Sequence, residues 1–298
     1  MNLEKALIDV AEEYEAPNGK VFRGISLDSV RKIARDFNLS CREVEIVALK
    51  QSIIPLRYQR NIGTLGTDGQ IKLLESCVAV IGCGGLGGLL IELLARAGIS
   101  ELKVVDSKSF KEENLNRQIL SSEISIGRMK AEVARERIKT VNSATEIETY
   151  TVEFDSRNGK KILSGVDVVV DALDSVKARL VLQDVARRLK LPLVSAAIAG
   201  FCGYVTVILP GDSGWRALYG GQGSDVNGVE RELGNLGATA AVAASLETQE
   251  VIKLISGRGE ILRNRFLFFD TERNFFTYID VSESPKGLKR TRTLSREK

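Results

Sequence analysis

Residues 79–97 read AVIGCGGLGGLLIELLARA: an apolar, partly β-branched run enters five glycines within seven residues and leaves as a long apolar helix pattern. Glycine at this density gives up side-chain packing and backbone rigidity, a sacrifice that makes sense where the main chain must turn sharply or lie directly against a ligand. Strand, glycine turn and helix in that order form the first half of a βαβ unit. A chain that starts this way is committed to a parallel sheet with helical crossovers.

The following segments keep the same rhythm. ELKVVD, EIETYTV, VDVVVDAL and PLVSAAI read as strands, and GRMKAEVARERIKTV and SVKARLVLQDVARRLK as the helices between them. The expected fold class is therefore α/β, with a doubly wound, mainly parallel Rossmann-like sheet. YVTVILP, RFLFFD and NFFTYIDV read as further strands forming an antiparallel C-terminal extension, and ATAAVAASLETQEVIKLI as a long helix of small residues. The uncharged stretch 191–211 is broken by Pro192, Gly200, Gly203 and Pro210, which fits two buried strands joined by a turn rather than a membrane span.

Residues 1–57 differ in pattern. SLDSVRKIARDFNLSCREVEIVALKQ predicts short amphipathic helices with Ser26 or Asp28 and Ser40 as N-caps, so a small helical module over 1–57 is expected to precede a nucleotide-binding domain over 58–283. The helix–turn–helix spacing also suits DNA, but nine basic and nine acidic residues over 1–57 leave no basic footprint. The net charge of +3 is smaller than that of the tail 284–298 alone, with six Lys/Arg and one Glu, and the tail reads as a solvated, disordered end. No nucleic-acid or membrane partner is expected. The start lacks an export pattern, and Cys41, Cys77, Cys83 and Cys202 form no C-x-x-C pair, so a reducing cytoplasm without structural zinc is expected.

Gly82, Gly84 and Gly87 satisfy G-x-G-x-x-G, and Asp106 ends the next strand nineteen residues after Gly87. Such glycines admit phosphate, the helix N-terminus offers unpaired N–H groups, and the carboxylate suits ribose hydroxyls. NAD would fit this motif as well as ATP. The segment ENLNRQILSSEISIGRMK, 113–130, separates the two, because Arg117 and Lys130 with Asn114 and Asn116 suit a polyphosphate rather than a nicotinamide. The chain also has no histidine, so its chemistry is expected to need no imidazole base.

GCGGLG, Asp106, NLNRQ, GRMK and DALDS, preceded by RYQRNIGTLGTDGQ, resemble the activating enzymes of ubiquitin-like proteins, in particular the bacterial MoeB/ThiF/HesA group that adenylates sulfur-carrier proteins. The similarity runs over 58–281, about three quarters of the chain. It implies ATP and Mg²⁺ as cofactors, a small β-grasp carrier ending in Gly-Gly as partner, and release of pyrophosphate. Gly85 would lie against the nucleotide beside Gly82, Gly84 and Gly87, and Asp106 would bind the ribose. Asn114, Asn116, Arg117, Gln118 and Lys130 would meet the phosphates, and Asp174 would hold Mg²⁺ with Ser175 beside it. Arg60 would be delivered across a homodimer interface into the neighbouring subunit's site. Asn61 and Ser175 depart from the family's usual Gln and Asn.

Three further points follow from the residues. Asp171 and Asp174 could form an acid/base pair, but a carboxylate nucleophile gives a base nothing to do; Asp174 could also cap the helix after it. Some members of the family it resembles carry a cysteine in the connection corresponding to 210–237, and this chain has none there, so the resemblance implies that catalysis stops at the acyl-adenylate with a separate sulfur donor. Cys202 reads as a buried structural thiol, and Trp215 and Tyr219 as carrier-tail contacts or loop anchors. A nucleotide-binding regulator without activity and an NAD-dependent oxidoreductase are the competing readings.

Overall fold

A computed structural model describes residues 2–219 and 230–281. The basic tail and the middle of the 210–237 connection lie outside the described residues.

The N-terminal part opens with α1 (Leu3–Val10), β1 (Glu12–Glu15), β2 (Val21–Ile25), α2 (Leu27–Phe37), α3 (Cys41–Lys50) and β3 (Ile54–Pro55). Ser26 caps α2 by accepting the Ser29 N–H, and Ser40 and Glu43 form a reciprocal capping box on α3. The turn between them is closed by Asn38 in the left-handed conformation (φ 54°), a geometry Asn tolerates better than most residues. Leu7, Ile25, Val30, Ile33, Val44 and Ile53 pack into a core of their own. The helices match the sequence reading. The sheet β1-β2-β3 is an addition: EEYE has one aromatic, Tyr14, among three glutamates, so β1 carries no apolar alternation to announce it.

After this come α4 (Gln59–Leu74), β4 (Cys77–Ile81), α5 (Gly85–Ala97), β5 (Glu101–Val105), α6 (Lys130–Val141), β6 (Glu146–Tyr150), α7 (Gly159–Ile162), β7 (Val168–Asp171), α8 (Val176–Arg188), β8 (Leu193–Ala199) and β9 (Cys202–Ile208). The chain ends through α9 (Trp215–Tyr219), α10 (Glu230–Leu233), α11 (Gly237–Ser256), β10 (Arg265–Asp270) and β11 (Phe275–Asp280). One eight-stranded sheet runs β11-β10-β9-β8-β7-β4-β5-β6, parallel from β8 to β6 and antiparallel from β8 through β11. β4 is buried at every position because both faces are covered, and each such Val or Ile side chain contributes about 1.5–3 kcal/mol of burial.

Strand order reverses between β4 and β7: the chain crosses from β4 outward to β5 and β6, then returns to start β7 on the other side. In doubly wound sheets such a reversal opens a crevice at the strands' carboxyl ends, because successive crossovers leave it in opposite directions. The Gly82–Gly85 turn and the Ala172–Asp174 turn both emerge there. On one face α11 lies against α5, with Ala240, Ala243 and Ala244 fully buried; their small size permits the close approach.

Candidate functional site

The glycines of the turn divide into two kinds. Gly82 sits at φ +109°, where a Cβ would meet the Ala172 carbonyl oxygen at 2.5 Å, and a Cβ on Gly87 would fall 1.8 Å from the Gly82 oxygen. Both are fixed by the chain's own packing. Gly84 has only Gln118 Nε2 within reach, at 3.9 Å, and Gly85 has only ordinary contacts from 3.5 Å. Among the described residues nothing crowds a side chain at those two positions, yet both border the crevice, so they keep the main chain open to a ligand. α5 begins at Gly85 with no side-chain cap, leaving its first N–H groups available to an anion.

The crevice is a cleft of about 310 Å³. Gly82, Gly84, Gly85, Asp106, Arg117, Gln118, Lys130, Asp174 and Ser175 line it. Asp106 braces its floor: one carboxylate oxygen accepts the Cys83 N–H and the other the Lys108 N–H, each at 2.8 Å. The loop after β4 and the end of β5 are thereby held by a single side chain.

Lys130 opens α6 and is 5% exposed, its ammonium 5.7 Å from the centre of the Phe110 ring. Burial pulls its pKa below lysine's usual value, with Asp106 opposing. Among the described residues it makes no ion pair, so its charge is free to meet an incoming anion. Arg117 is held by the Glu113 carbonyl and by Asn116 Oδ1, both at 2.9 Å. The buried Asn114 accepts the Lys111 N–H and shapes the turn that carries Arg117. Asn114 and Asn116 thus stand behind the cleft lining and orient Arg117. Arg60 lies exposed near the start of α4, apart from this lining, and Gly87 sits beneath the turn.

Asp174 and Ser175 follow β7. Ser175, not Asp174, caps α8 by accepting the Ala178 N–H, which leaves the Asp174 carboxylate, 76% exposed, aimed into the cleft mouth. There it accepts a 2.7 Å bond from Lys108 Nζ. Burial acts to raise the Asp174 carboxyl, but the Lys108 ammonium outweighs it and the net shift is down. Lys108 was not legible as a site residue, because SKS reads as an ordinary surface turn; the only signal is its place at a strand's carboxyl end beside Asp106.

Asp171 is not half of an acid/base pair. It is fully buried, accepts the Ser195 hydroxyl at 2.5 Å and faces Arg179 at 3.1 Å. Ser195 also accepts the Trp215 indole N–H at 2.7 Å, and Arg179 lies over the same indole at 4.7 Å. Trp215 is completely buried and stacks on Tyr219, which lines the cleft, so Trp215 is a loop anchor. Cys202 corrects the sequence reading: it starts β9 beside the exposed Phe201 and is only partly buried. Burial, followed by Asp270, nonetheless raises its thiol pKa.

No group of three or more His, Cys, Asp or Glu side chains converges as a metal cage among the described residues. A single open carboxylate facing a phosphate-sized cradle fits Mg²⁺, which is commonly held by one or two carboxylates together with substrate phosphates. Also among the described residues, no helix is long and apolar enough to cross a membrane.

Residues 58–289 match the ThiF family. The SAMP-activating enzyme E1 of Haloferax volcanii is 34% identical over 233 residues, covering 77% of this chain and 86% of that protein. The sulfur carrier protein adenylyltransferase of Thermus thermophilus is 33% identical over 240 residues, covering 77% and 88%. The adenylyltransferase and sulfurtransferase MOCS3 of Aedes aegypti is 36% identical over 224 residues, covering 74% of this chain and 51% of that protein, so the chain spans about half of its length. The crystal structure of E. coli MccB shares the fold, with a TM-score of 0.67 at 20% identity over 92% of this chain and 83% of that one. The chain belongs to the ThiF family, in its MoeB/ThiF group of adenylyltransferases.

Proposed function

We propose that the chain binds ATP in the β4–β7 crevice and transfers AMP to the C-terminal Gly-Gly carboxylate of a small ubiquitin-like sulfur carrier, releasing pyrophosphate. The observation that carries this reading is the pairing of two open glycines, Gly84 and Gly85, with the oriented Arg117 and the buried Lys130, which makes no ion pair among the described residues, along one cleft.

A glycine α-carboxylate has a pKa of about 3.5 and is already an anion at neutral pH. One of its oxygens attacks the α-phosphorus, the bond from that phosphorus to the bridging oxygen breaks, and the electron pair leaves with pyrophosphate. No proton moves, in keeping with a chain that has no histidine. The residues' work is positional and electrostatic. The α5 N-terminus and Gly84–Gly85 main chain receive the phosphates, Asp106 orients the ribose, and Arg117 and Lys130 stabilise the charge gathering on the leaving group. Asp174 would hold Mg²⁺, which when bound neutralises phosphate oxygens. Arg60, which is exposed and does not line its own cleft, would complete the site of a second copy in a homodimer. Sulfur would then come from a separate donor.

Intact-mass measurement tests this reading. A β-grasp carrier ending in Gly-Gly, incubated with the enzyme, ATP and Mg²⁺, gains one AMP, and the same carrier lacking its last glycine gains none. AMP on both forms would place the modification elsewhere than the terminal carboxylate and contradict it.

A further inference from the structure

Lys108 is unaccounted for by the nucleotide loop and by the phosphate cluster. It follows Asp106 by two residues, and its backbone is fixed on both sides: its N–H donates to Asp106 and its carbonyl accepts the Lys130 N–H at 3.0 Å. β4 lies between β5 and β7 in the sheet, so the Lys108 side chain, starting beyond β5, passes over the end of β4 to reach Asp174 beyond β7. It therefore bridges the crevice above the glycine turn, and both residues line the cleft.

The two side chains are 62% and 76% exposed. An exposed ion pair contributes little to stability and exchanges readily, because water screens it and two long side chains lose freedom in making it. A stabilising role is thus a poor explanation for a bond spanning the mouth of a nucleotide cleft. An unpaired carboxylate at this point, by contrast, would repel a triphosphate and rotate freely. The ammonium removes both effects at once.

We propose that Lys108 is a positioning residue that acts as a placeholder cation for Asp174, holding and neutralising the carboxylate in the free enzyme and yielding it to Mg²⁺ when the metal arrives with ATP. This rests on the reading of Asp174 as the metal-side carboxylate. Lys108 and Mg²⁺ then compete for one oxygen. Removing the ammonium eases metal entry but leaves a bare carboxylate facing metal-free nucleotide, so the two kinds of binding change in opposite directions.

Calorimetric ATP binding, measured across a Mg²⁺ series and in chelator, tests this in wild type, Lys108→Met, Lys108→Arg and Asp174→Asn. In Lys108→Met the half-saturating Mg²⁺ falls about two- to five-fold and ATP affinity in chelator falls by a similar factor, the span an exposed pair allows. Lys108→Arg stays near wild type in both, and Asp174→Asn raises the Mg²⁺ requirement. If Asp174→Asn shifts the metal dependence while Lys108→Met leaves it unchanged or raises it, the placeholder role is overturned and the metal reading stands. If neither substitution moves it, the metal reading falls and the placeholder role falls with it.

Discussion

Asn142 donates to the Ala95 carbonyl at 2.7 Å, and that bond ties the far ends of α5 and α6 together. These are the two helices whose near ends, at Gly85 and Lys130, border the cleft. The same amide donates to the Tyr58 hydroxyl at 3.0 Å, and its oxygen accepts from Ala144 and from Arg57. The spacing of these two cleft-bordering helices is therefore held at their opposite ends by one amide, 3% exposed, and along their length by the Arg137–Glu92 pair at 2.9 Å.

Replacing Asn142 with Ala removes the donor to the Tyr58 hydroxyl and the acceptor of the Ala144 N–H, while the Ala95 carbonyl keeps only its bond from the Gly98 N–H. Each such loss costs about 1–3 kcal/mol, so Asn142→Ala is expected to lose about 2–4 kcal/mol in urea unfolding. A loss below about 1 kcal/mol would mean that water or a neighbour replaces the knot.

The glycine turn predicts opposite outcomes for two neighbouring substitutions. Gly87→Ala puts a methyl 1.8 Å from the Gly82 oxygen, so the protein is expected to fold poorly. Gly84→Ala meets no protein atom closer than 3.9 Å, so the fold survives and ATP binding weakens. Circular dichroism and nucleotide titration of both proteins separate these effects. Unchanged ATP affinity in folded Gly84→Ala would show that phosphate does not approach that atom.

Glu45 on α3 is buried, and its carboxyl is pushed up to about 7 by burial, against the opposing pull of Arg57 at 3.4 Å. A carboxyl whose folded pKa exceeds its unfolded value favours folding while protonated. Its contribution is complete below about 4.5, declines as pH rises toward 7 and is gone above it, a change on the order of 3 kcal/mol. Glu45→Gln should flatten this segment of the stability–pH curve. An unaltered slope between pH 5 and 7, about the interval of that titration, would assign the pH dependence to other groups.

Trp215 is the chain's single tryptophan, so its emission reports one place. Full burial predicts a blue-shifted spectrum. Its neighbours Arg179 and Tyr219 both line the cleft, so ATP is expected to change the emission saturably. A spectrum insensitive to saturating ATP would disconnect the anchor from the nucleotide site.

The sequence made the parallel sheet, the glycine turn and most of the cleft lining legible, because those features are local: β-branched runs, glycine spacing and strand ends are short-range patterns. α4 was less visible, since Gly63, Gly66 and Gly69 weaken its helix signal and Gly66 (φ 68°) kinks it. The Asp171–Ser195–Trp215–Arg179 network joins residues from 8 positions apart, Asp171 to Arg179, to 36 apart, Arg179 to Trp215, so no short sequence pattern displays it. Glu247 is similar. Among the polar residues of SLETQE it reads as a surface charge, yet it is fully buried, and burial followed by Asp171 pushes its carboxyl well above the usual range. Only the fold decides which chemistry-bearing residues meet.

ATP–pyrophosphate exchange is the most direct measurement of adenylate formation by the cations and the carboxylate of this cleft. With a Gly-Gly-ended carrier and ATP both saturating, wild type is expected to exchange. Arg117→Ala and Asp174→Ala should remain folded and slow on the order of 10²–10³-fold, as when one preorganised charge-stabilising group is lost. Wild-type exchange rates in both variants would contradict the assignment of these residues to the reaction.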